Sequence, residues 1–556
     1  MKSILLSVLI LLAGLVAANG QSSMSSQPDK QTVKQLAATC KVWGLLKYYH
    51  PAFSSGGLNC DSFLVHGLIT GSKAKGQKEF EALLLKKIQS LQQGSFTKNN
   101  QPVDSLKTFI NWNWITTEVQ HKQLRDLLQS LRSFSPDSVA TVSFKTRSGI
   151  SLDWPRFIEK TYDSLQYPDE AHRYLALFRA WNIIQYYFPY KNLMDKHWDE
   201  VLLQFIPRFA AAKDTVQYHL ACKELMKYLD DGHSFASSRV INTHFGRRTV
   251  PFELSYVEGK FAIANVLNDS LFKLSGLQLG DVIVAIGDQK IEDRKQYLAK
   301  YFGGSNRRAI DGKEIADRIF VSNDSISMVT ISRQGKQMKI PVTRYGLNII
   351  FSKPASVPVW SFPEPSIAYV HMGRLTNPDT LKHLFAAVAN TKGLILDFRH
   401  YPNFMVMYPF LSHLYETNKP FAKFLVPLKN KPGYFRDSYE GFMFQDKQDK
   451  LYTGKIILLV NERSGSLGEF FPMALQVLDR TVTIGSQTWG GDGNQIGVVL
   501  PAGINIGFSG LGIFYPDGGV CQRKGIRVDR IVYPTIKGLR EGRDELLEYA
   551  INYLRR

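Results

Sequence analysis

From about residue 365 onward, short apolar runs alternate with helix-length segments, and this alternation constrains the chain more than any other feature. Strands are expected at 367–372, 393–398, 456–461 and 482–486, with helices between them at 378–390, 405–415 and 467–479. Strands alternating with helices call for a mainly parallel sheet with covered faces. An amphipathic segment at 543–554 closes this unit, which spans 365–556. Residues 31–245 instead read mostly as helices, and 248–345 as short strands at 250–254, 261–266, 281–286, 327–332 and 338–342. The expected fold class is therefore multidomain α/β: an N-terminal helical region, a β domain and a C-terminal α/β domain.

The first twenty residues stand apart from the fold. Lys2 is their one charge, an apolar run fills 4–18, and small then polar residues follow. That order is the pattern of a secretory signal peptide over 1–20, and the run is shorter than the ~20 residues of a spanning helix. An uncleaved anchor is the alternative. Cleavage implies export to the periplasm or the extracellular space, with no integral membrane span afterwards. Residues 21–30 are Ser/Gln-rich and read as a disordered lead-in.

With 68 Lys+Arg against 49 Asp+Glu the chain carries +19, but the basic residues are scattered, so no nucleic-acid partner is expected. Cys40, Cys60, Cys222 and Cys521 show no CxxC spacing and the histidines form no HExxH, so neither metal nor cofactor is expected. Whether Cys40 and Cys60 pair stays open. Two helical segments resemble each other, WGLLKYYHP at 43–51 and WNIIQYYFP at 181–189, each amphipathic and ending before proline. Their aromatics read as core.

The stretch 274–288, LSGLQLGDVIVAIGD, has a short helix-former ending at Gly276, a tight turn at Gly280-Asp281 and an apolar strand. It resembles the core of a PDZ domain over 248–345, a fold whose open strand–helix groove accepts an extended peptide. The resemblance implies peptide contacts at Leu274, Gly276 and Leu277; an inert spacer domain is the other reading.

The chemistry concentrates in 455–471, KIILLVNERSGSLGEFF, where an apolar strand enters a Gly/Ser turn and then a helix. Ser466 at the helix N-terminus is placed where free N–H groups and the helix dipole favour an oxyanion, as an acyl-transfer nucleophile requires. Taken locally, Ser466-x-x-Glu469 is equally a capping box, the commoner use of such a pattern. The glycines of 490–493 do not make a nucleotide loop, because a strand follows them.

The order of motifs decides between these readings. The DFR of 397–399, the strand–turn–helix of 456–479, GSQTWGGDG at 485–493, FYPDG at 514–518, QRKGIRVD at 522–529 and the closing GRDELLE helix follow in sequence. Together they resemble the C-terminal processing (tail-specific) serine peptidases and the related tricorn-like branch, over about 225–556. The resemblance implies that Ser466 is the nucleophile. The processing branch keeps a lysine base in its GxxTxGKG turn, but Gly491 occupies that place here. The tricorn-like branch draws its base from a stretch ahead of the PDZ domain, and His233 matches it. Gln522, an amide where that branch has a carboxylate, and the neighbouring hydroxyl of Ser234 are the implied orienting groups. The implied oxyanion donors are the backbone N–H groups of Leu467 and Asn403, although HYPNF at 400–404 replaces the usual Gly-Gly.

These readings describe an exported serine endopeptidase acting on polypeptides, docked by their C-terminal ends. A catalytically inactive peptide-binding or scaffold member of the same family is the alternative, and a carbohydrate- or envelope-polymer-binding protein is suggested by composition alone.

Overall fold

A computed structural model describes residues 27–91, 106–136, 138–147, 150–352, 358–417, 419–441, 448 and 450–556. Segment 1–20, whose sequence reads as a signal peptide, lies outside the described residues. In the 21–30 lead-in, Asp29 already caps a helix, accepting from Thr32 N at 2.7 Å.

The helical part is built on Lys30–Tyr49, Glu170–Tyr187, Trp198–Ala211 and Thr215–Met226. Asp29, Asp169 and Asp214 satisfy the free N–H groups at three of the four N-termini. The two similar segments end alike: His50 and Phe188 turn extended ahead of Pro51 and Pro189. Their helices also touch. A Cβ on Gly44 would fall 1.7 Å from Asn182 Oδ1, and Asn182 Nδ2 donates to Cys40 O at 3.0 Å. Trp181 and Trp198 exchange indole-to-carbonyl hydrogen bonds, each 3.0 Å, so both large rings are buried without orphaned N–H groups. All four cysteines are buried free thiols, so Cys40 and Cys60 are not paired. Between these helices lies an element that the mostly helical reading of the region does not contain: Val142–Arg147 and Ile150–Phe157 form an antiparallel hairpin.

Residues 248–346 form a β-rich unit whose main sheet runs Lys336–Thr343, Ile326–Arg333, Val282–Ile286, Lys260–Val266, Phe252–Val257, all antiparallel. Its own core gathers Phe252, Leu254, Ile263, Ile283, Val329 and Ile331.

The C-terminal unit has a six-stranded sheet in the order Trp360–Glu364, Ile367–His371, Gly393–Asp397, Lys455–Val460, Thr481–Gly485, Arg530–Ile531. The first pair is antiparallel and the other four pairings are parallel. Alternation along the central strands explains its two covers. Leu394, Leu396, Ile456 and Leu458 face the helices Thr380–Val388, Phe404–Ser412 and Leu467–Leu475. Ile395, Ile457 and Leu459 face Leu546 and Ala550 of the terminal helix Glu545–Arg555. A second hairpin, Pro420–Pro427 with Tyr434–Gly441, is absent from the sequence reading; it pairs through its first strand with Gly512–Phe514.

The pairing that matters most for the site joins distant parts of the chain. Gln495–Leu500 and Ile504–Ser509 form a hairpin, and Phe235–Ser237 adds to its edge with Phe235 opposite Gly507. Among the described residues no helix is long and apolar enough to cross a membrane.

Candidate active site

Ser466 stands at the mouth of the parallel sheet, between the end of Lys455–Val460 and the helix Leu467–Leu475. Its backbone has a positive φ of 53° with ψ −121°, a strained conformation for a residue with a Cβ, of the kind found at functional turns. Three contacts hold the turn. Ser464 Oγ donates to Phe398 O at 2.8 Å, Ser466 N donates to Gly491 O at 3.0 Å, and Gly465 leaves room for the Trp489 ring, which a Cβ would meet at 2.2 Å.

The capping-box reading fails at the serine side chain. The Ser466 side chain makes no cap hydrogen bond, so only the Glu469 half of the box is present, the carboxyl being stabilised by the Ser466 N–H as well as by a second loop. Glu469 is fully buried and accepts from Thr488 Oγ1 (2.5 Å), Gly490 N (2.7 Å) and Gly491 N (3.0 Å). It thereby fixes the 488–491 loop beneath the serine. Burial raises its carboxyl to about 7, against the pull of those donors. Asp492 beside it is also fully buried and raised, by burial first and by Glu469 second.

The Leu467 N–H has no acceptor among the described residues, and neither has that of Asn403. Asn403 caps Phe404–Ser412 through its side chain, accepting from Met405 N at 2.8 Å. The 400–403 loop lies against the serine helix: a Cβ on Gly468 would stand 3.7 Å from Pro402 Cδ. Both N–H groups implied for an oxyanion are thus unspent, on adjoining segments.

His233 reaches this corner by the edge pairing described above. Continuing the register from Phe235–Gly507 by two residues sets His233 opposite Ser509, and His233 Nδ1 lies 3.0 Å from Ser509 Oγ. Ser509 Oγ in turn donates to Asp231 Oδ1 at 2.9 Å. With its proton committed to Asp231, the Ser509 oxygen accepts from Nδ1–H, which leaves the lone pair on Nε2. Burial pushes the His233 imidazole below its ordinary value, with the Asp231 charge acting against that shift. The ring meets Trp489 edge-on at 5.1 Å. Among the described residues no hydrogen bond joins Ser466 Oγ to His233; contacts of this kind commonly tighten only around substrate.

Two orienting assignments change. Ser234 donates to Met226 O at 2.5 Å and does not bond His233, so the hydroxyl against the imidazole is that of Ser509. Gln522 does not touch His233 either. Its Nε2 donates to Asp231 Oδ1 at 3.0 Å, one of four donors on that buried carboxylate, with Ser509 N, Ser509 Oγ and His233 N. Asp231 and Ser509 are missing from the sequence reading. Asp231 lies two residues before His233 and was within its reach; Ser509 carries no local signal.

The implied peptide-contact residues fare differently. Leu274 is 79% exposed and Gly276 has φ 68°, but Leu277 is buried in the core of the β unit. The Leu277 N–H is taken by Ser275 Oγ at 3.2 Å and that of Gln278 by Asp281 at 2.8 Å. These two amides are therefore spent within the loop, and Leu277 offers no side chain to a peptide.

Among the described residues no group of three metal-ligating side chains converges. No curated protein matches the sequence. Among solved structures, mature CPAF complexed with lactacystin is similar at a TM-score of 0.53 and 13% identity, over 69% of this chain and 98% of that one. Mature CPAF alone gives 0.52 and 12%, over 69% and 96%. The photosystem II D1 C-terminal processing protease gives 0.40 and 16%, over 67% and 98%. The family model "Peptidase family S41" matches residues 411–532, the segment that holds Ser466, Glu469 and Gly491. The chain thus carries a segment of peptidase family S41 over 411–532 and is a serine-type peptidase.

Proposed function

We propose that the protein is an exported endopeptidase in which Ser466 attacks the peptide carbonyl and His233 is its base. The observation that carries this reading is the edge pairing of Phe235–Ser237 on Ile504–Ser509, which sets His233 on the Asp231–Ser509 pair.

The steps follow from the hydrogen-bond directions. His233 Nε2 takes the Ser466 hydroxyl proton as Oγ bonds to the carbonyl carbon. The developing oxyanion is met by the unspent N–H groups of Leu467 and Asn403. His233 then carries a proton on both nitrogens. Its Nδ1–H stays on Ser509, and the Asp231 carboxylate stabilises the imidazolium one hydroxyl away. The proton passes to the leaving amine, and water repeats the sequence on the acyl-enzyme. The amide of Gln522 serves Asp231 rather than the imidazole.

Export rests on the Lys2 flank and the apolar run 4–18. A PDZ-like role for 248–345 rests on the 274–288 motif and a sheet with its own core. Fluorophosphonate labelling followed by peptide mapping tests the catalytic assignment. Label on Ser466, lost in Ser466→Ala, is expected; unlabelled wild type that cleaves no unfolded polypeptide defeats it.

A further inference from the structure

Behind the histidine, where the helix Thr215–Met226 meets the β-rich unit, lies a cavity lined by Lys223, Lys227, Tyr301, Phe302, Glu314 and Arg318. Its lining is rich in cations. The Lys227 ammonium is occupied, donating to Ala299 O at 2.9 Å. Arg318 is bonded to Glu314, through Oε2 at 3.0 Å and through its backbone carbonyl at 2.7 Å. Glu314 is already shared, with Lys313 at 3.4 Å and the Trp489 indole at 3.3 Å.

Lys223 has no such partner. It is 8% exposed, and its ammonium makes no hydrogen bond or ion pair among the described residues. It rests on the Phe302 ring at 4.4 Å, a ring that also carries the Arg318 guanidinium at 4.3 Å. Two cations share one aromatic ring, and the nearby carboxylate is engaged elsewhere. Burial lowers the Lys223 ammonium to about 7, with Arg318 adding to the effect and the Glu314 charge acting against it. A buried ammonium in that position feels Glu314 but has no anion in direct contact. A carboxylate is the anion that suits it: small, acceptor-only, and able to take donors from Lys223 and Arg318 while Tyr301 and Phe302 pack its apolar stem.

We propose that this cavity is a binding site for a carboxylate of the polypeptide substrate, held by Lys223 with Arg318 beside it. The inference rests on the peptidase reading for its ligand class. It also supplies a carboxylate contact that the Leu277 and Gln278 amides, spent on their own loop, do not. The wall is continuous with the site: Glu314 holds Trp489, whose ring meets His233. A carboxylate seated here would anchor the chain close to the reacting centre.

The carboxylate has two sources, a chain terminus or an acidic side chain, and three peptide pools separate them. One pool of random peptides lacking Asp and Glu carries free C-termini, a second is the same pool amidated, and a third is amidated but contains Glu. Each is passed over immobilised full-length Ser466→Ala protein, which does not cleave, and recovery is counted by mass spectrometry. Recovery of the free-acid pool about tenfold or more above the amidated pool assigns the chain terminus. Equivalent enrichment of the Glu-containing pool assigns the side chain. In either case the enrichment is expected to vanish on the Lys223→Met background. Equal recovery of all three pools, or enrichment that survives Lys223→Met, overturns the proposal. Where Lys223→Met does not fold, Lys223→Gln is read in its place, with loss of the enrichment expected and its survival overturning the proposal. Fluorophosphonate labelling of the wild type reports on Ser466 separately, so a failed catalytic assignment is not read as a failed pocket.

Discussion

Gly491 packs directly on Gly232: a Cβ built on Gly491 would stand 3.2 Å from the Gly232 Cα and 3.3 Å from the Trp489 ring. The place where the processing peptidases carry a lysine is thus the place where the histidine-bearing segment passes. The two bases compete for one volume. Gly491→Lys should therefore not restore a serine–lysine pair. It should push the 231–233 turn outward and lower kcat/KM by about a hundredfold or more, since a displacement of about 1 Å at a reacting group has that effect. Steady-state hydrolysis of an unfolded polypeptide is the check. Activity at or above the wild-type level would show that the histidine is dispensable.

A second prediction uses the backbone of Ser466. Its φ of 53° is strained for any residue with a Cβ, and its side chain caps nothing. Ser466→Gly should therefore abolish hydrolysis while raising thermal stability, by about 1 kcal/mol or somewhat more. A true cap would give the smaller opposite sign, a loss of a few tenths of a kcal/mol on replacement by glycine. Calorimetry of the two proteins distinguishes them.

The bridge between Asp231 and His233 makes a third. Ser509→Ala removes the acceptor of Nδ1–H and one donor to Asp231, and should lower kcat by about a hundredfold with little change in KM. Asp231→Asn should lower it further, toward the ~10⁴-fold found when the analogous carboxylate of a serine triad becomes an amide. Burial depresses His233, so the acid limb of kcat/KM should fall below the ordinary histidine value of about 6.5. Asp231 acts to raise it, so in Asp231→Asn any residual activity should persist to still lower pH. A limb that moves upward in that variant would exclude His233 as the titrating base.

How far the sequence carries these conclusions depends on the range of the interaction. The Ser466 turn is written locally: an apolar strand, the small residues Ser464, Gly465 and Ser466, and a helix follow one another within 455–475, and the structure has Lys455–Val460 and Leu467–Leu475 there. The same local reading misses what the side chains do, because Ser466 caps nothing and Glu469 finds three of its donors in the distant 488–491 loop. Ser509 is invisible for a similar reason. It meets Asp231 across 278 residues through a three-residue edge strand, a register that no periodicity encodes. The hairpins at 142–157 and 420–441 are missed because their pairing, like most β structure, is stabilised by cross-strand and tertiary contacts more than by local preference. Leu277 fails differently. Its motif is a turn signature, and a turn signature says where the chain bends without saying which side chain the core takes.

The last prediction concerns the two acids under the site. Asp492 is buried, its Oδ2 has no hydrogen-bond partner, and Glu469 stands close enough to raise it. Both carboxyls have folded values above their unfolded ones, so the folded chain holds protons that the unfolded chain has released. The sign follows from proton counting: stability contributed by such groups is complete below the unfolded values and declines as pH rises toward the folded ones. For Glu469 that window runs from about 4.5 to about 7. Asp492→Asn keeps Oδ1, which accepts from Gly493 N at 2.8 Å, and removes the ionisable group. The variant should therefore match the wild type near pH 4 and exceed it in Tm at pH 8, with a shallower decline between. A variant less stable than the wild type at pH 8 would mean that the Asp492 carboxylate is charged and supported in the folded protein.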